Sequence, residues 1–357
     1  MQRFRLAWPG APLAIASAAL FGASTPFAKI LLGGGANPWL LAGLLYLGSG
    51  LGLGAVALIW RRKGAHAEAA LVRADLVWLG LAVLSGGIAA PVLLMLGLAA
   101  SSASTAALLL NLEGLATMAI AWLVFRENVD RRLLLGAAAI LGGALLLSWQ
   151  GGAGGLGLGA LAIAGACLAW GIDNNLTRKL SAADPVQIAL VKGLVAGVVN
   201  LTLAGALGAH LPPPSVVLEA GVVGFLGYGV SLVLFVLALR HLGTARTSAY
   251  FSTAPFIGAV LAILMLGEPL TVCLVLAGAL MALGLYLHLA ETHEHMHTHE
   301  PLDHEHSHVH DAHHQHAHEP GDPVTEPHTH WHHHASLRHK HAHYPDLHHC
   351  HGHAEQA

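Results

Sequence analysis

Charge is scarce in this chain of 357 residues. Asp, Glu, Lys and Arg make up 10% of it, against roughly 25% in a typical soluble domain. That shortage excludes what the length alone would allow, a pair of soluble domains. Cysteine is scarce too. Cys167, Cys273 and Cys350 are scattered, which gives neither a disulfide framework nor a Cys-x-x-Cys metal site. Positive charge is not in excess, and a formal net charge of -3 argues against a nucleic-acid partner. No Gly-rich phosphate loop and no nucleophile–base pairing stand out, so an enzyme is not expected. What the chain has instead is 55% hydrophobic residues and 42 glycines, as expected where helices pack closely in lipid.

A helix needs about 20 apolar residues to cross a bilayer. Ten runs of that kind are expected, at 12–32, 38–60, 76–98, 102–125, 131–149, 157–179, 184–207, 217–239, 245–266 and 270–290. Of the 17 Lys and Arg, 15 fall before the first run, in alternate connections or after the last. The remaining two, Lys29 and Lys192, fall inside runs. Basic residues collect on the cytoplasmic side, so both termini are expected there.

The runs repeat. Leu20-Phe21-Gly22 lines up with Ala169-Trp170-Gly171 at a shift of 149, which also sets Lys29 on Arg178. Glu127 lines up with Glu268 at a shift of 141, and Pro255 falls on Gly114, one residue after Glu113. Each half holds five runs, an odd number, so the second half inserts upside down. Inverted repeats with a site between them near the midplane are a mark of secondary transporters.

On these residues the chain resembles the drug/metabolite transporter (DMT) superfamily, EamA-type ten-span exporters, over residues 12–290. The carrying features are Phe21-Gly22, Trp170-Gly171, Glu127 and Glu268. The resemblance implies export of amino acids, other metabolites or drugs, driven by a proton or exchange gradient, across a bacterial inner (cytoplasmic) membrane. The Asp173-Asn174-Asn175 triplet and the C-terminal tail depart from the common pattern.

The fold class expected is an all-α integral membrane protein: ten transmembrane helices as two inverted five-helix repeats, plus a disordered His-rich tail. The expected boundaries are 1–149, 150–290 and 291–357.

Candidate substrate or coupling residues are the polar ones inside runs. Glu113 lies mid-run with Asn111 beside it. A carboxylate there must pair, protonate or face water. It reads as a proton-coupling or cation site, or as half of a locking salt bridge to Lys192. Asp173 reads as a ligand or gate, or as a partner for Arg178 or another loop cation. Asn174 and Asn175 could bind substrate or cap an unwound helix end. Ser252 and Thr253 precede Pro255, where a broken helix would free carbonyls. Lys29 is expected to snorkel at a span end. Tyr46, Trp60, Trp122 and Trp149 are expected at interfaces or on helix faces.

The tail is of a different kind. Residues 293–353 hold 24 of the 28 histidines, in runs of His-x-His. Candidate metal ligands are His293, His295, His297, His299, His304, His306, His308, His310, His313, His314, His316 and His318. Neutral imidazole suits Zn, Ni, Co and Cu(II), and the interspersed Asp and Glu could complete a shell. Alternation puts the imidazoles on one side of an extended chain. The segment has almost no apolar residues and is broken by prolines, so it is expected to be disordered without metal.

Three functions remain open: a secondary transporter exporting a small metabolite or drug-like solute, a divalent metal (Ni, Co or Zn) efflux transporter, and a membrane metal sensor that transports nothing. No cofactor is required, apart from divalent metal on the tail. The expected partners are the lipid bilayer and a small-molecule or metal-ion substrate. Oligomeric state is open, a homodimer being one option.

Overall fold

A computed structural model describes residues 10–62, 71, 73, 75–125, 131–149, 157–177, 180, 184–235, 237–238, 247 and 250–289, with tail segments 294–298, 302–308, 328–334 and 338–342. Its body is all-helical. In order the helices are α1 (Gly10–Gly33), α2 (Pro38–Arg62), α3 (Asp75–Ala82), α4 (Ala90–Ala99), α5 (Ala103–Leu109), α6 (Leu112–Phe125), α7 (Arg131–Ser148), α8 (Leu158–Thr177), α9 (Pro185–Ala206), α10 (Pro214–Gly224), α11 (Ala254–Leu266) and α12 (Val272–Leu289).

Seven helical stretches are long and apolar enough to cross a membrane, and α11 and α12 supply two shorter apolar ones. With α8 these make ten among the described residues. α8 is long enough at 20 residues, but it ends in Asp173-Asn174-Asn175, which lowers its hydropathy. Leucines at 38 to 83% exposure on many of these helices belong on surfaces that face lipid.

The packing has a two-fold pattern. α1 packs on α11, and its counterpart α8 packs on α6. α2 crosses its own counterpart α9, and α7 crosses its counterpart α12. Small residues make the crossings close. A Cβ on Gly143 would lie 2.9 Å from the carbonyl oxygen of Ala277, and one on Gly284 would lie 2.6 Å from that of Gly136. Gly143 and Gly284 are 141 residues apart, as are Gly136 and Ala277, so one contact is made twice. Gly22 and Gly171 do the same elsewhere. Gly22 presses on the Ala254 carbonyl of α11, and Gly171 presses on Ala116 of α6. Without a hydrophobic drive between helices in lipid, close backbone approach is what holds such crossings.

Four spans are irregular, again in matching pairs. A π-helical segment, Val83–Ala89, joins α3 to α4, and another, Phe225–Val230, follows α10. The span of α5 and α6 breaks at Leu110-Asn111, and the span ending in α11 breaks at Ser252-Thr253. These breaks lie 142 residues apart, within one residue of the repeat spacing. π-segments weaken the regular i→i−4 ladder and are frequent at functional sites.

Of the tail, expected to be disordered without metal, the structure describes four short segments. They form two antiparallel ladders, β1 (Glu294–Thr298) on β4 (Arg338–Ala342) and β2 (Leu302–His308) on β3 (His328–His334). The register sets His295 opposite His341 and His297 opposite His339. In the second ladder His304 faces His332, His306 faces His330 and His308 faces His328.

Candidate functional site

The breaks and π-segments bring the polar residues of the bundle together. Asn111 sits at the break of its span, and Glu113 stands in the first turn of α6. α8 crosses α6 there, and its end delivers three polar residues in a row. On a helix such neighbours face different ways, and here they take different partners. Asn174 donates to Glu113 Oε1 at 3.0 Å and to Thr117 Oγ1 at 3.2 Å. Asn175, buried, donates to the carbonyls of Gly171 at 2.8 Å and Thr117 at 3.1 Å. Asp173, 3% exposed, points the other way, accepts from Thr177 Oγ1 at 3.0 Å and forms an ion pair with Lys192 of α9.

That pairing corrects two expectations. Lys192 does not bridge to Glu113, and Asp173 is partnered by an intramembrane lysine rather than a loop cation. The reason is register. α9 lies along α2 and the first π-segment, and a Cβ on Gly87 would lie 3.7 Å from Lys192 Cγ. The neighbouring Gly86 has no side chain and leaves room for the Asp173 carboxylate.

Glu113 is left with neutral partners, Asn174 on one oxygen and Thr117 alongside. Both Asp173 and Lys192 still act on it electrostatically. Asn111 is buried and donates to the Leu108 carbonyl at 2.8 Å, closing the turn at the break. Ser252 and Thr253 lie at the matching break, where Thr253 Oγ1 donates to the Tyr250 carbonyl at 2.6 Å. Thr253 thus caps the backbone of its own span.

Sequence reading missed the residues around the first π-segment. Tyr46, expected at an interface or on a helix face, is buried, and its hydroxyl donates to the Gly86 carbonyl at 2.8 Å. Trp170 Nε1 donates to the same oxygen at 3.0 Å. Asn200 Nδ2 donates to the Gly87 carbonyl at 3.1 Å. The π-turn loosens these carbonyls from the helix ladder, and side chains from three other helices take them up. The adjacent Gly86-Gly87 pair was the one signal in the sequence that backbone approaches closely here.

Tyr46 also touches Tyr228 of the second π-segment, with ring centroids 5.5 Å apart. From Tyr228 the rings continue to Phe21 at 5.8 Å, Phe251 at 5.4 Å and Phe235 at 4.9 Å. This string draws on both halves of the chain.

Lys29, expected to snorkel, instead caps helix ends. Its ammonium donates to the carbonyls of Leu98 at 2.7 Å and Ser101 at 2.6 Å, at the end of α4. Gly267, at φ 64, turns the chain after α11. Glu268 then accepts from the amides of Ala103 at 2.6 Å and Ser104 at 2.8 Å, at the start of α5. Its counterpart Glu127 lies outside the described residues, as do Arg178, His293, His299, His310, His313, His314, His316 and His318. His295, His297, His304, His306 and His308 hold the strand positions given above.

A ten-helix bundle with paired span breaks and buried charge between its halves is the architecture of a polytopic membrane transporter. The comparisons agree. The model of the EamA-like transporter family matches twice, over residues 8–149 and 157–290. The chain belongs to that family. An uncharacterized transporter of Methanothermobacter thermautotrophicus is 29% identical over 234 residues, which cover 63% of this chain and 68% of that one. A solved structure, described only as the crystal structure of a protein, superposes with a TM-score of 0.58 at 19% identity. The match covers 78% of this chain and 95% of that one, and it speaks for the fold alone.

Proposed function

We propose that this transporter exports a small metabolite or drug-like solute across the inner membrane by alternating access, with both termini cytoplasmic, and that the tail binds divalent metal. The two halves, 1–149 and 150–290, are the units that rock against each other, and residues 291–357 form the tail. The observation that carries the transport reading is Glu113. It is a half-buried carboxylate at a helix break that accepts from the neutral Asn174 amide and, among the described residues, is paired with no cation. Such a group takes up and releases protons as its surroundings alternate between dry and wet. Asn111, Asn174, Asn175, Asp173 and Lys192 surround or support it. Ser252 and Thr253 at the matching break belong to the solute path.

The tail favours a second reading, efflux of Ni, Co or Zn. The strand register sets histidine positions opposite one another, as a chelating surface would need. The third reading, a sensor that transports nothing, has no use for carboxylates inside the spans of both halves.

The test is cellular Ni, Co and Zn content in a metal-loaded host expressing the intact chain, the chain cut after Ala290, or Glu113→Gln. If the intact chain lowers one metal and Glu113→Gln does not, the protein is a metal exporter. If metal content follows the tail and ignores Glu113, the tail buffers metal and the cargo is an organic solute. Export of that solute must then fail in Glu113→Gln.

A further inference from the structure

The short connection from α4 to α5 is held from outside at both of its ends. Lys29, near the end of α1, donates to the carbonyls of Leu98 at 2.7 Å and Ser101 at 2.6 Å. Glu268, just past α11, accepts from the amides of Ala103 at 2.6 Å and Ser104 at 2.8 Å. The cation takes the end of one helix and the anion takes the start of the next. Neither helix needs this help. Ser102 already accepts from the Thr105 amide at 3.2 Å, and the Ala100 amide closes α4 on the Gly97 carbonyl at 3.2 Å. Caps that are available locally leave the distant residues Lys29 and Glu268 another task.

Both residues belong to one packed pair of helices. α1 and α11 meet backbone to backbone, where a Cβ on Gly258 would lie 2.7 Å from the Gly22 carbonyl oxygen. Across from them, α4 packs on α8, where a Cβ on Gly97 would lie 2.7 Å from the Gly159 carbonyl oxygen. Between the two groups α5 packs on α11. Below the gripped amides that contact is smooth and apolar. Ala103 and Ala107 are buried one turn apart on one face of α5, and a Cβ on Gly258 would lie 3.2 Å from the Ala107 Cβ. Parting such a face strands no polar side chain, so the grip above it decides whether it parts.

From this geometry we infer that Lys29 and Glu268 together form a gate, a clasp that shuts this end of the bundle when it grips the α4–α5 connection and opens it when it lets go. The inference rests on the alternating-access reading and supplies its closing contact. With both termini cytoplasmic, as proposed above, this end faces away from the cytoplasm. α1 then moves with α11 and the second half, although it is encoded in the first. Lys29 and Glu268 are half-buried, so water replaces their partners as the clasp opens, and the net cost of release is small. The buried Asp173 has no such replacement for Lys192, so that pair stays closed.

The experiment reads exposure of Ser104, 2% exposed under the clasp. The full chain carries Ser104→Cys, with Cys273→Ser and Cys350→Ser to remove other thiols, since Cys167 is buried. It is placed in lipid nanodiscs and labelled with a charged, membrane-impermeant maleimide. The otherwise intact chain should label slowly. Glu268→Ala and Lys29→Met should each speed labelling roughly 10-fold, and the double variant by about the product. Lys29→Met is the decisive arm, because Lys29 bonds neither Ser104 nor any residue of α5. A residue that only caps α4 would leave labelling at Ser104 unchanged. Gly143→Ala, which strains the separate α7–α12 crossing, should lower the melting temperature without speeding labelling. Faster labelling in only one of the two clasp variants, or in neither, overturns the gate. So does an equal rise in Gly143→Ala, which would be general loosening. The transport reading falls separately, through the Glu113→Gln arm of the cellular assay.

Discussion

Lys192 of α9 is paired with Asp173 of α8, not with Glu113, and the pair closes against the backbone of Gly86. The consequence is a division of labour between two nearby carboxylates. One has a permanent counter-ion and holds helices together. The other, Glu113, accepts from the Asn174 amide and is the one proposed to change its charge.

That division makes a prediction. Removing one member of a buried pair leaves an uncompensated charge and costs about 3–5 kcal/mol, while removing both can be close to neutral. Lys192→Met and Asp173→Asn should each lower the unfolding temperature in detergent sharply. The double variant should recover most of the loss, and Glu113→Gln should barely change it. Thermal unfolding of the four proteins checks this. Equal losses in the single and double variants would show that the pair is not a unit.

Glycine substitutions give a second test. Gly86→Ala would drive a methyl into the Asp173 carboxylate, and Gly22→Ala would drive one into the Ala254 carbonyl. Gly143→Ala and Gly284→Ala strike backbone at the α7–α12 crossing from its two sides. Each should cost about 1–3 kcal/mol, the usual range for overpacking. Gly114→Ala and Gly142→Ala meet nothing within 4 Å and should be tolerated. Melting temperatures separate the two groups. Gly86→Ala should also depress transport more than its melting temperature explains, because it displaces Asp173.

The glycines also show what was legible beforehand. The Gly22–Gly171 correspondence was visible in the sequence because a repeated crossing needs the same small residue twice. Span positions were visible because lipid demands about 20 apolar residues whatever their order. Partner choice was not. Asp173, Asn174 and Asn175 are adjacent in sequence, yet Asp173 turns to Lys192 of α9 while both asparagines reach Thr117 of α6, which only the crossing of α8 decides. Tyr46 was expected at an interface or on a helix face because the Gly86-Gly87 pair marks close backbone approach without saying which side chain approaches. The π-segments that create it depend on the packed helices around them.

The tail makes a prediction independent of the bundle. Full-length protein should bind Zn or Ni tightly in solution, and the chain cut after Ala290 should not. Metal binding requires neutral imidazole, so affinity should fall steeply as pH drops below about 6. Isothermal titration of the two proteins at two pH values checks both points. Replacing histidines at paired strand positions, such as His304 with His332, should cost more affinity than replacing His304 with His339, which belong to different ladders. Equal losses would mean that the strand register plays no part.

Glu268 supports the last prediction. Its two oxygens accept from consecutive amides at the start of α5, and Ser102 accepts from the Thr105 amide at 3.2 Å. Lys29 meanwhile covers carbonyls at the end of α4, a few residues before. A cation thus stands at a helix end and an anion at the next helix start, each where the backbone dipoles favour it. Hydrogen bonds to a charged group are worth about 1.5–3 kcal/mol each where they are sheltered. Glu268→Ala leaves two amides without acceptors and should destabilise by roughly 2–4 kcal/mol on that scale. Glu268→Gln keeps one acceptor oxygen and should lose about half as much. Because Glu268 lies in the second half of the chain and α5 in the first, the contact also ties the halves together at one end. If the halves separate there during transport, Glu268→Gln should raise the rate of exchange while lowering the melting temperature. A variant that loses stability and rate together would mark the contact as a cap alone.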